Sequence, residues 1–166
     1  MTDFAFDVQD LTTLTEAQLT ALGELQVSEQ QEVFGGSFAE SLEAWQKAPS
    51  SQILGLCFRF RGQPVGMTLF KRPPLSPAWA PACAASIHGL KISETWQGQG
   101  WGHNAFRLAV HRLKEEWPET TTLVLAVDAG NAAALAVYRA FGMADSGPIY
   151  DGTNGREHRL EVSLKS

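Results

Sequence analysis

The sequence predicts an α/β (α+β) domain, a single mixed sheet of about seven strands flanked by about four helices. Three observations predict it. The chain of 166 residues is long enough for one sizeable core. The elements read in the order β-α-α-β-β-β-α-β-α-β-β. The second half carries two strand–helix units, the arrangement that places helices against a sheet.

Phe4, Phe6 and Val8 alternate, so residues 3–8 read as a first strand. In "TEAQLTALGELQV", Thr15 and Gln18 have capping-box spacing and Leu19, Leu22 and Leu25 recur every three residues, predicting a helix over 15–27. "VSEQQEVFGGS" reads as a connection. A second capping box, Ser37 with Glu40, opens a helix that stops before Pro49. "QILGLCFRF", "RGQ" and "PVGMTLFK" predict a hairpin with strands at 52–60 and 63–71. Pro73, Pro74, Pro77 and Pro81 make the next segment a loop. "AASIHGLKIS" has apolar residues on both parities, as in a strand buried on both faces. "GHNAFRLAVHRLKEEW" is a helix, with Phe106, Val110 and Leu113 on one face and Pro118 beyond its end. "TTLVLAVDA" is a buried strand. "NAAALAVYRAFG" is a helix with Asn131 as N-cap and Gly142 as its stop. "MADSGPIY" is a weak strand, "DGTNG" a turn and "REHRLEVSL" a final alternating strand.

Composition narrows the function. The chain is 44% hydrophobic and 19% charged, an ordinary globular balance. A net charge of −5 argues against a nucleic-acid surface and is compatible with a cationic substrate. Cys57 and Cys83 have neither disulfide-framework nor zinc spacing, and His103, His111 and His158 show no ligand spacing, so no metal is expected. No apolar run approaches the ~20 residues that span a bilayer, and the start lacks a signal-peptide pattern. A cytoplasmic protein is the expectation.

"SETWQGQGWGHN" carries the chemistry. Gly98, Gly100 and Gly102 alternate just before a helix. Glycine costs about 1 kcal/mol against alanine inside a helix, so three together suggest that backbone N–H groups are wanted there. A ligand-free turn is one reading. A dinucleotide fingerprint fails because His103 stands three after Gly100, and a nucleotide P-loop fails for want of Gly-Lys-Ser/Thr. The remaining reading is a pyrophosphate cradle for another cofactor.

Gln97-Gly98-Gln99-Gly100-Trp101-Gly102 resembles the Q/R-x-x-G-x-G/A loop of the GCN5-related N-acetyltransferases, the GNAT family. "NAAALAVYRAFGM" resembles the family segment after its fifth strand, with Asn131, Tyr138 and then Phe141-Gly142. Both matches lie within residues 84–143 in the family's order. "VSEQQ" at 27–31 is similar to a subgroup that includes bacterial diamine and spermidine acetyltransferases. The resemblance implies a twisted sheet with strands four and five splayed apart. It also implies acetyl-CoA as co-substrate, with no metal.

It further implies direct acetyl transfer to a primary amine of a small molecule in a ternary complex. A modifier of proteins or peptides and a non-catalytic acyl-CoA sensor are the alternatives. Alkylamines are mostly protonated at pH 7, so a base is needed. His88 is the candidate base, its ordinary pKa of about 6.5 suiting that duty; a buried histidine without catalytic duty is the other reading. In the polyamine subgroup this position tends to be acidic. Tyr138 is the candidate acid for the departing thiolate, or a packing residue. The resemblance assigns cofactor contacts to Gln97, Gly98, Gln99, Gly100, Trp101, Gly102 and Asn131, and backbone contacts to Leu90, for the acetyl carbonyl, and Ile92, for the pantetheine arm. Trp101 either lies over the cofactor or covers the turn. Glu29 and Glu32 are the candidate contacts for a cationic acceptor, whereas Glu40 and Glu43 suit a solvated helix face equally well. Base rates make a homodimer the default assembly.

Overall fold

The computed structural model describes residues 5–152 and 155–165. Phe4 and the Thr153-Asn154 tip of the expected turn lie outside the described residues. The chain runs β1 (Phe6–Asp10), α1 (Glu16–Gly23), α2 (Glu29–Gly35), α3 (Phe38–Lys47), β2 (Ile53–Phe60), β3 (Gln63–Lys71) and β4 (Ala84–Ile92). It continues with α4 (Trp101–Glu116), β5 (Thr122–Asp128), α5 (Ala132–Phe141), β6 (Ala144–Asp145), β7 (Tyr150–Gly152) and β8 (Gly155–Ser163).

One mixed sheet has the order β1-β2-β3-β4-β5-β8-β6, with β7 pairing β8. Neighbours are antiparallel except β4 and β5, which are parallel. Helices cover both faces, and β2 shows why residues 53–58 are apolar: Leu54, Leu56 and Phe58 enter one core and Ile53 and Cys57 the other. The first core packs α4 and α5 on the sheet through Phe106, Leu113, Tyr138 and Leu123. The second packs α1 and α3 through Leu11, Leu22, Phe38 and Leu42.

Three expectations are corrected. The segment read as a connection contains α2, which starts on a complete capping box, Ser28 with Gln31. With seven residues it is too short to display an amphipathic repeat. The first helix ends at Gly23 rather than near 27, and Val27 turns into the second core. The weak segment after α5 resolves into two short strands, so the sheet has eight strands among the described residues.

Two features of β4 shape the space beside it. It pairs with β5 only over Ala84–Ser86 against Thr122–Val124, after which the two strands part. That is the splay the resemblance implied. On its other side β4 is bulged: Leu69 faces His88 and Met67 faces Lys91, so Gly89 and Leu90 share one partner position on β3, that of Thr68. Bulges of this kind re-aim groups beside active sites.

Candidate active site

A cavity of about 400 Å³ occupies the gap between β4 and β5. At one end lies the glycine turn. Gly98 and Gly100 have φ of +80° and +77°, the left-handed region that glycine adopts without strain. A Cβ at either would meet nothing within 4 Å, so the backbone conformation, not crowding by the protein, calls for glycine. Gly100 is the N-cap of α4, no side chain caps that end, and the first turn carries no acidic residue. Its leading N–H groups and the positive end of the helix dipole therefore suit an anion. Trp101 fixes the turn to the sheet, its ring 5.0 Å from Phe6, 4.8 Å from Phe60 and 5.4 Å from Trp96. It also lines the cavity, so it both covers the turn and faces the space beside it.

His88 lies on the cavity wall, with Nε2 2.7 Å from Ser86 Oγ. Ser86 Oγ also lies 3.4 Å from the Lys71 carbonyl. When Ser86 donates to that carbonyl, its oxygen accepts from Nε2–H and the imidazole lone pair sits on Nδ1. Burial, assisted by the Lys71 charge, pushes the His88 pKa down to about 4. The imidazole is therefore neutral at pH 7, and the ordinary histidine value expected from sequence does not hold.

Tyr138, on α5, is 8% exposed and lines the cavity. Its ring meets Phe106 edge-on at 5.2 Å. Burial raises its phenol pKa to about 12, so the proton stays on the oxygen at neutral pH. Asn131 caps α5 by accepting from the Ala134 N–H at 3.3 Å, and it too lines the cavity. Leu90, Ile92, Gln97, Gly98, Gly100 and Gly102 are also on the wall.

Three expected residues are not. Gln99 is exposed and does not line the cavity, although the glycines on either side of it do. Glu29 and Glu32 are absent from the wall because α2 presents Gln31, Phe34 and Gly35 to it, and positions three and four apart share a helix face. Glu29 falls on the opposite side.

Sequence reasoning also missed part of the site. Gln31 and Gln97 exchange two amide hydrogen bonds of 3.1 Å, and Gln97 Nε2 donates to the Ile92 carbonyl at 2.7 Å. This ties α2 to the glycine turn. Asp128, at the end of β5, brings a carboxylate to the wall and accepts from the Gly130 N–H at 2.8 Å. Lys91 is 8% exposed and lines the cavity, and burial lowers its pKa to about 8 despite the nearby Glu40 charge. A lysine inside an otherwise buried strand was the available signal. Among the described residues, no group of three or more His, Cys, Asp or Glu is placed to hold a metal ion. No helix there is long and apolar enough to cross a membrane.

The parted strands, the uncapped glycine turn and the polar residues between them enclose one cavity whose groups suit acyl-group transfer. The model of the acetyltransferase (GNAT) family matches residues 19–143, and the chain belongs to that family. Solved structures agree on the fold. An aminoglycoside acetyltransferase, AAC(6')-Ib in complex with coenzyme A, superposes with a TM-score of 0.75 at 17% identity, over 96% of this chain and 95% of the other. Spermidine N-acetyltransferase from Vibrio cholerae, in complex with CoA and spermine, gives 0.72 at 14% identity, over 97% and 96%. The ribosomal-protein-S18-alanine N-acetyltransferase from Escherichia coli gives 0.62 at 21% identity, over 96% and 92%. No curated protein sequence matches the chain significantly.

Proposed function

We propose that the protein is an acetyl-CoA-dependent N-acetyltransferase whose acceptor is a primary amine of a small molecule. The observation that carries this reading is the continuity of one cavity from the uncapped glycine turn to His88 and Tyr138. The family match and the CoA-bound relatives of the same fold support the cofactor. The residues fit it: Gly98, Gly100 and the first N–H groups of α4 would hold the pyrophosphate, with Asn131 and Ile92 beside the pantetheine arm. A small acceptor is favoured over a peptide because two elements flank the acceptor side. Gln31, Phe34 and Gly35 of α2 line it, as does Pro77 of the proline-rich loop.

Bound acetyl-CoA supplies an acetyl group activated as a thioester. The chain's own groups do the rest. The Leu90 N–H donates to the acetyl oxygen. His88, neutral at working pH, accepts the proton that the amine nitrogen sheds as it bonds to carbon, directly or through one water. A weak base suffices there, because bonding to the carbonyl makes that N–H acidic. Tyr138 holds a proton for the departing sulfur.

A panel of primary amines, assayed by thiol release from acetyl-CoA, tests the reading. Turnover confined to small amines is expected. Transfer only to proteins or peptides, or thermal stabilisation by acetyl-CoA with no transfer to any amine, would replace it with one of the two alternatives.

A further inference from the structure

The peptide group joining Gly89 to Leu90 has two working ends. Its N–H belongs to Leu90, the donor to the acetyl oxygen in the proposed reaction. Its carbonyl belongs to Gly89 and accepts from Lys91 Nζ at 2.9 Å. A trans peptide is planar, with N–H and C=O pointing in opposite directions, so holding one end aims the other. The Lys91 ammonium reaches back along its own strand to do this. Its second partner is Ser41 Oγ of α3, at 2.6 Å, and the Phe38 ring lies 5.7 Å away.

The bulge explains why such a clamp is useful. Gly89 and Leu90 together face one residue of β3, so the regular ladder cannot hold both peptides. Side chains take over on each side. Thr68 Oγ1 donates to the His88 carbonyl at 3.1 Å, and Lys91 holds the Gly89 carbonyl. The packing there leaves no slack. Gly89 has φ +61°, and a Cβ on it would come within 2.9 Å of Lys91 Nζ, 3.2 Å of the Gly35 carbonyl oxygen and 3.3 Å of Ser41 Oγ. Both oxygens that Lys91 bonds are neutral and the nearby Glu40 charge makes no ion pair with it, yet the ammonium is almost wholly buried. Burying a charge against neutral partners is costly, and a neutral strut between α3 and β4 would be cheaper.

We propose that Lys91 is a positioning residue for acyl transfer, its ammonium aiming and polarising the Leu90 N–H through the Gly89–Leu90 peptide group. This rests on the acetyltransferase reading. A charged donor on a carbonyl draws electron density from the amide and makes its N–H a stronger donor. During transfer the amine nitrogen bonds to the carbonyl carbon and the carbon–sulfur bond breaks, its electron pair leaving on sulfur. Lys91 keeps its own proton throughout.

Lys91→Met keeps the chain length and removes charge and donors. The Leu90 amide proton, followed by NMR in the labelled protein without substrate, is expected to move upfield. With a substrate amine, kcat is expected to fall about tenfold or more while the KM for acetyl-CoA stays within about twofold, because the glycine turn is untouched. Lys91→Arg is expected to restore most of both. An unmoved Leu90 resonance, an unchanged kcat, or a loss that falls on KM and is not rescued by arginine would overturn the proposal. If Lys91→Met does not fold, Ser41→Ala tests the same point by freeing the ammonium from α3. A smaller shift in the Leu90 resonance supports the proposal, and none overturns it. Absence of transfer in the wild-type protein would defeat the acetyltransferase reading alone, since the resonance needs no substrate.

Discussion

His88 illustrates how burial changes what a residue type promises. Its pKa of about 4 places any acid limb due to imidazole protonation near pH 4, well below the ordinary histidine range. Above that, kcat/KM is expected to rise with pH as the neutral, attacking amine forms, up to about pH 8, where Lys91 begins to lose the proton its positioning role needs. Profiles for two amines with different pKa values below about 8 check the histidine: the limb should follow the amine, and a limb fixed near 6.5 for both would assign His88 a solvated, ordinary pKa. The same shift has a stability consequence. Between pH 6.5 and 4 the unfolded chain binds a proton at this position that the folded chain refuses, so folding stability falls as pH falls through that window. In His88→Gln that contribution is expected to vanish, which denaturant titrations at several pH values would read. Tyr138→Phe is expected to lower kcat by ~10²-fold or more with little change in the KM for acetyl-CoA, as for loss of a general acid. An unchanged kcat with chemistry rate-limiting would leave Tyr138 the packing role seen against Phe106.

At the scale of elements, capping decides where helices begin. Thr15, Ser28 and Ser37 each form a complete capping box. Two of these were legible as helix starts, Thr15 from the apolar repeat after it and Ser37 from its capping box and the Pro49 stop. The third was not, because α2 ends before a repeat can show. Its importance is tertiary: the Gln31–Gln97 amide pair links residues 66 apart, and no local pattern announces that. Asn131 is the converse case, readable from "NAAALAVYRAFG" and found as the cap. Asn131→Ala is expected to cost about 1 kcal/mol of stability through the lost cap. If Asn131 also contacts the cofactor, the KM for acetyl-CoA rises beyond what that loss explains. Thermal melts paired with initial-rate kinetics separate the two effects.

At the scale of the molecule, the candidate site lies where the sheet is incomplete. The parting of β4 from β5 leaves a gap that two-sided helix packing would otherwise close. A ligand that fills it binds only the folded state, so acetyl-CoA at 100 times its Kd is expected to stabilise the protein by about 2.7 kcal/mol. Gly100→Asp is expected to abolish that stabilisation, since it strains a φ of +77° and sets a negative charge at the anion end of the cavity. A wild-type melting temperature unmoved by millimolar acetyl-CoA would contradict the proposed cofactor. By itself the sequence determined the order of the longer strands and helices, though not α2 or the β6–β7 pair, together with the glycine turn before α4 and the Asn131 cap, because periodicity, capping and glycine conformation are local properties. Only the tertiary structure decided the extent of the splay, the wall that α2 contributes to the cavity, the exclusion of Glu29 and Glu32 from it, and the bond from Lys91 to the Gly89 carbonyl. Those depend on the bulge in β4 and on which faces of α2 and α3 meet it, and such contacts join residues whose spacing along the chain carries no pattern.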